Sequence, residues 1–146
     1  MVQLDPEQLL YGFYIEKSDE PMDDEWSWPR FLDLIAENRW QHVLEQAMAE
    51  EDLYWWLDLQ ERQGATGAYA PAGEITVSSF EPGATFETFD AFVDHLRDLP
   101  ADQWCNLFLA ATIAKEEALT KSAHIAETIS KALAALAPMY CELLRR

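Results

Sequence analysis

From residue 86 onward, apolar side chains recur every three or four positions, and this spacing constrains the fold more than any other feature of the chain. In "TFETFDAFVDHLRDLP", Phe86, Phe89, Val93 and Leu96 fall on one face of a helix that Pro100 ends. Trp104, Leu107, Phe108, Ala111 and Ala114 form a second stripe, widened by Leu109 and Ile113, which reads as a central helix apolar on most sides. Ile125, Ile129, Leu133, Leu136, Tyr140 and Leu143 form a third, with a kink or restart expected at Pro138. The alanines Ala132, Ala134, Ala135 and Ala137 would let such helices approach closely.

The first half extends the helical reading less cleanly. "LDPEQLLYGFYIEK" offers Asp5 as an N-cap and Pro6 at the first helical position, predicting a short helix to about Tyr14. Gly12 and the cluster Tyr11, Phe13, Tyr14, Ile15 leave a strand as the alternative. Ser27 and Pro29 open a helix bearing Phe31, Leu32 and Ile35. Asn38 with Gln41 resembles a capping box that opens another, bearing Trp40, Val43, Leu44 and Ala47. Asp52 would cap a third helix carrying Leu53, Trp56 and Leu57. The same residues suit a strand, with Leu53, Trp55, Leu57 and Leu59 alternating on one face. "QGATGAYAPAGEITVSSFEPGA" is the main break, and Glu74–Phe80 is its only strand-like piece.

The expected fold is therefore mainly α. It is a single-domain helical bundle over residues 1–146, with a small β-hairpin or strand element around residues 53–80. It would have an acidic part, residues 1–100, and a neutral C-terminal helical pair, residues 101–146. With 146 residues, 49% of them hydrophobic, the chain is large enough to bury a real core. No apolar run approaches the roughly 20 residues of a membrane span, and the N-terminus lacks the basic and apolar regions of a secretory signal. The expectation is a cytoplasmic protein with reduced thiols at Cys105 and Cys141, a single disulfide between them being the alternative if their helices are neighbours.

The net charge of −17 is unevenly placed. Residues 1–62 hold sixteen acidic against four basic side chains, residues 63–100 six against one, and residues 101–146 five of each. Such a charge disfavours approach to nucleic acid or anionic lipid, so direct binding to either is not expected. Solubility alone is the simplest account of the acidity.

Candidate chemistry is sparse. His42 with Glu45 is half of a dimetal helix motif with no second half, His95 sits among Asp90, Asp94 and Asp98, and His124 has no ligand-like company. There is no zinc-like Cys/His spacing, phosphate loop or nucleophile elbow, and the acidic run at residues 16–25 lacks the ligand pattern of a calcium loop. No catalytic residue, cofactor or metal is expected, and the chain does not read as an enzyme.

The densest charge lies in "KSDEPMDDEWSWP", which reads as an exposed loop with five carboxylates and two tryptophans. Carboxylates steer a basic partner, and aromatic side chains anchor it. The candidate partner-binding residues are Glu16, Asp19, Glu20, Asp23, Asp24, Glu25, Trp26 and Trp28, extended by Tyr54 and Trp55. The competing reading is that Trp26 and Trp28 fold back over the following helix. The functional expectation is an acidic inhibitor, monomeric or weakly dimeric: an immunity protein that neutralises a toxin or another basic enzyme acting on nucleotides or nucleic acid. The alternatives are a nucleic-acid mimic that blocks a defence or restriction enzyme, and a small accessory subunit that docks by its C-terminal helices.

Overall fold

A computed structural model describes residues 1–20, 27–64 and 66–145. It overturns the helical bundle: the architecture is a five-stranded antiparallel sheet with helices. In chain order the elements are β1 (Val2–Leu4), β2 (Gln8–Lys17), α1 (Ser27–Ile35), α2 (Asn38–Glu50), β3 (Tyr54–Arg62), β4 (Tyr69–Val77), α3 (Phe89–Arg97), β5 (Trp104–Ala114), α4 (Lys115–Lys121) and α5 (His124–Leu144). The sheet order is β1-β2-β5-β3-β4.

The largest correction is Trp104–Ala114, expected as a central helix and found as the central strand β5. Cys105, Leu107, Leu109, Ala111 and Ile113 are buried on one face. Trp104, Phe108 and Ala110 are also apolar, so the other face blurs the alternation. A strand paired on both sides reads as a near-continuous apolar run, which a helical template also fits. Residues 101–146 are therefore a strand and two helices, and the strand joins β2 to β3 rather than standing apart as a helical pair.

The N-terminal helix is likewise a strand. Asp5 does cap, but it caps a turn: its Oδ1 accepts from the Glu7 and Gln8 amides at 2.8 and 2.9 Å, closing the β1–β2 hairpin. Gly12 is what lets β2 lie against β5. Its φ is +149°, and a Cβ there would stand 2.2 Å from the Leu109 carbonyl oxygen. Asp52 caps no helix either; it takes a positive φ of 54° in the turn that starts β3, so the strand alternative for Leu53–Leu59 is the one adopted.

The helices over residues 27–35, 38–50 and 89–97 form where their apolar spacing placed them. Thr88 caps α3 by accepting from the Ala91 amide at 3.1 Å. The capping box does not form: Glu37 holds the cap position of α2, and Gln41 instead donates to the Ile35 carbonyl and to Asp90. α5 runs unbroken through Pro138, which lies on its exposed side.

Aromatic side chains of α1, α3 and α5 meet one face of the sheet. Phe31 of α1 stacks on Phe13 of β2 at 5.5 Å, Tyr140 of α5 meets the same ring edge-on, and Phe89 and Phe92 of α3 enclose Trp55 of β3. The odd-numbered residues from Leu9 to Ile15 of β2, from Trp55 to Leu59 of β3 and from Cys105 to Ile113 of β5 point into this core. Their even-numbered neighbours form the opposite face.

Candidate functional site

That opposite face carries the site. Strand register sets side chains in rows across it. Tyr14 of β2 stands opposite Phe108 of β5, which stands opposite Trp56 of β3. Phe108 and Trp56 stack at 4.7 Å and 21°, and Tyr14 tilts against Phe108 at 5.0 Å. The adjacent row is polar: Glu16, Asn106, Asp58 and Glu74 follow one another across β2, β5, β3 and β4. Beyond it lie Trp104 and Gln60, then Arg62 with Tyr69.

Tyr69 reaches this face because of a bulge. The β3–β4 register shifts between Leu59 and Gln60, so Gly73 and Pro71 oppose consecutive residues of β3 and Ala72 is the extra one. One extra residue reverses the facing of everything beyond it. Tyr69 therefore tilts against Trp104 at 5.1 Å instead of turning away.

The polar row holds more acceptors than protons. The Tyr14 hydroxyl has one proton and lies 3.0 Å from Glu16 Oε2 and 2.9 Å from Asn106 Oδ1. Asn106 Oδ1 also accepts from Trp104 Nε1, while the Asn106 amide and Gln60 donate to Asp58. Burial, and then the bond to Glu16, push the Tyr14 pKa up to about 12. No salt bridge among the described residues involves Glu16, Asp58 or Glu74.

At its Arg62 end the face runs into a cleft of about 440 Å³ lined by Asp19, Glu20, Glu61, Arg62, Asp102 and Gln103. Arg62 lies over the Tyr69 ring at 5.5 Å and grips Asp19 through Nε and a terminal nitrogen at 3.0 and 3.3 Å. Partial burial alone would raise the Asp19 pKa, but the bonds from Tyr69 and Arg62 and the Arg62 charge outweigh it and lower it. The start of this segment is pinned by Lys17, whose ammonium is buried and donates to the carbonyls of Ser18, Pro100 and Gln103 at 2.7–3.0 Å.

The residues expected to bind a partner are thus divided. Glu16 and Tyr54 stand on the open face, and Glu20 is exposed in the cleft. Asp19 is engaged within the chain, with 8% of its side chain exposed. Trp28 and Trp55 are corrected: at 4% and 0% exposure they are core residues, packed with Phe31. Asp23, Asp24, Glu25 and Trp26 lie outside the described residues, as does most of the loop reading that rested on them. The sequence reading missed Tyr14, Trp56, Asp58, Tyr69, Trp104 and Phe108. A usable signal existed in "YWWLDLQ": if Leu53, Trp55 and Leu57 share the buried face, then Tyr54, Trp56 and Asp58 must share the other.

The histidines are scattered. His42 and His124 are exposed, and His95 lies against Phe86 with ring centroids 5.1 Å apart. No group of three or more metal-ligating side chains occurs among the described residues. Cys105 is buried in β5 and Cys141 exposed on α5, both as free thiols, so the disulfide alternative does not hold. Among the described residues no helix is long and apolar enough to cross a membrane.

Compared with known protein families, curated proteins and solved structures, the chain matches none.

Proposed function

We propose that this chain is an acidic inhibitor that binds a basic protein, and that it serves as an immunity protein neutralising a toxin in the cytoplasm of the cell that makes both. The observation that carries this reading is the open sheet face, where half-buried stacked aromatics lie beside carboxylates that form no salt bridge among the described residues. Carboxylates accelerate the encounter with a basic partner, and aromatic rings slow its release. The net charge of −17 extends the attraction beyond the contact itself.

The test is binding kinetics against the product of the neighbouring gene, at about 0.05 and 0.5 M salt. Glu16→Lys with Asp58→Lys should slow association at least about tenfold at the lower salt and much less at the higher. An association rate indifferent to both salt and charge reversal would overturn the assignment of this face.

The accessory-subunit reading rests on a neighbouring surface, an apolar groove lined by Met1, Phe13, Tyr14, Leu133, Leu136 and Tyr140, which adjoins the open face at Tyr14. Loss of binding in Leu133→Glu, with the open-face variants unaffected, would favour that reading.

A further inference from the structure

Resting on the reading above, we propose that the open sheet face recognises arginine side chains of its partner, in preference to lysine, seating guanidinium groups between the Tyr14–Phe108–Trp56 row and the carboxylates of Glu16, Asp58 and Glu74. The chain already holds one guanidinium in this manner at the border of the same face. Arg62 lies over the Tyr69 ring, grips Asp19 with two nitrogens and donates to the Tyr69 hydroxyl at 2.9 Å. Besides the Tyr69 hydroxyl, that arrangement has two parts, an aromatic ring and a carboxylate. Trp56 with Asp58, and Tyr14 with Glu16, repeat both parts two residues apart on β3 and β2, so each pair shares a face. The difference is occupancy: no salt bridge among the described residues reaches Glu16, Asp58 or Glu74.

The chemistry selects the occupant. A guanidinium is planar, stacks on rings and presents several N–H donors in a fixed fork; an ammonium is a compact, strongly hydrated charge that does neither as well. The row of Glu16, Asn106 and Asp58 is rich in acceptors and short of donors, with two oxygens sharing the single Tyr14 proton. A donor fork complements it. A second copy of this chain does not suit the same place, because each copy carries −17 and Arg62, at the border of the face, is already engaged by Asp19. Arginines of a partner that ordinarily grip phosphate would find here both the negative charge and a stacking surface, so occupation would compete with that partner's phosphate-bearing ligand.

The experiment titrates the whole chain, labelled with nitrogen-15, with two capped peptides, acetyl-Gly-Arg-Gly-Arg-Gly-amide and its lysine counterpart, at about 0.05 M salt. The arginine peptide should bind about threefold or more tightly than the lysine peptide. The indole N–H resonances of Trp56 and Trp104 should shift, and that of buried Trp55 should stay. Asp58→Asn with Glu16→Gln, which keep the shapes of both side chains, should weaken the arginine peptide about tenfold. Trp56→Leu should abolish the preference for arginine over lysine. Equal affinity for the two peptides, no binding of the arginine peptide, or shifts confined to another surface would each overturn the inference. If that happens while the salt and charge-reversal kinetics with the partner still hold, the acidic face stands and only the arginine preference falls. If those kinetics also fail, the functional reading falls with it.

Discussion

Trp55 and Trp56 are neighbours in sequence and opposites in role, so truncating each to alanine separates the core from the candidate site. Trp55 is fully buried, with ring centroids 5.2, 6.1 and 6.3 Å from Phe92, Phe89 and Phe31. Removing a buried tryptophan costs about 3–5 kcal/mol, and three lost aromatic pairs place this one near the upper end. Trp56 is half-buried and stacks on Phe108 alone, so its removal should cost about 1–2 kcal/mol. In a chain of this size each kcal/mol lowers Tm by about 2–4 °C. Trp55→Ala should therefore melt at least about 6 °C below Trp56→Ala. The indole nitrogen of Trp55 has no hydrogen-bond partner among the described residues, so Trp55→Phe should be much milder than Trp55→Ala. The assays are thermal and urea unfolding followed by circular dichroism, paired with partner-binding kinetics. Trp56→Ala should speed dissociation of the partner, whereas Trp55→Phe should leave it unchanged. Equal stability of the two alanine variants, or a Trp55→Phe chain that folds normally and binds poorly, would refute the division of β3 into a core face and a binding face.

Gly12→Ala should destabilise by about 2–4 kcal/mol, because the new Cβ meets the backbone of Leu109 and Ala110, which cannot rotate aside; a neutral effect in urea unfolding would contradict the close approach of β2 to β5. The two thiols should react unequally: Ellman's reagent should titrate one, Cys141, in the native chain and two in urea, and two fast thiols in the native state would disprove burial of Cys105. Burial pushes the Cys105 pKa from 9.0 up to about 12, and Tyr14 rises from 10.0 to about 12. Folding favours the neutral form of both, so their stabilisation is complete below about pH 9 and is lost as pH rises from there toward 12. An unfolding free energy flat over pH 9–12 would contradict that linkage.

The parts of the fold legible in the sequence are those where one face is apolar and the other clearly polar. α3 shows this in Phe89, Val93 and Leu96 set against Asp90, Asp94 and Asp98. β5 was illegible because it is central: Leu107, Leu109 and Ile113 face the core while Trp104, Phe108 and Ala110 face across the sheet, leaving apolar residues at helical and strand spacing alike. β2 misled through Asp5 and Pro6, since an aspartate that accepts two amides serves a hairpin turn as well as a helix start. In the candidate site, density of charge was a poor guide to placement. The acidic stretch contributes Asp19 and Glu20 near the face, yet its aromatic Trp28 serves the core. The aromatic row spans residues 14, 56 and 108, and only strand register brings them together.

A sheet face bearing half-buried Trp, Tyr and Phe rings is ordinarily a liability for self-association. The edges of this sheet are also short of safe cover, yet each is blunted. β1 has only three residues, and β4 carries Pro71, which offers no N–H, beside the bulge at Ala72. Across the face itself, Glu16, Asp58 and Glu74 would confront the same carboxylates in a second copy at close range. Edges and face alike thus oppose contact between like chains. The same carboxylates carry no penalty against a basic surface, where they become attractive and the aromatic rows become the area that is desolvated. The acidity that keeps the chain in solution would also keep such a face open to a basic partner and closed to its own kind.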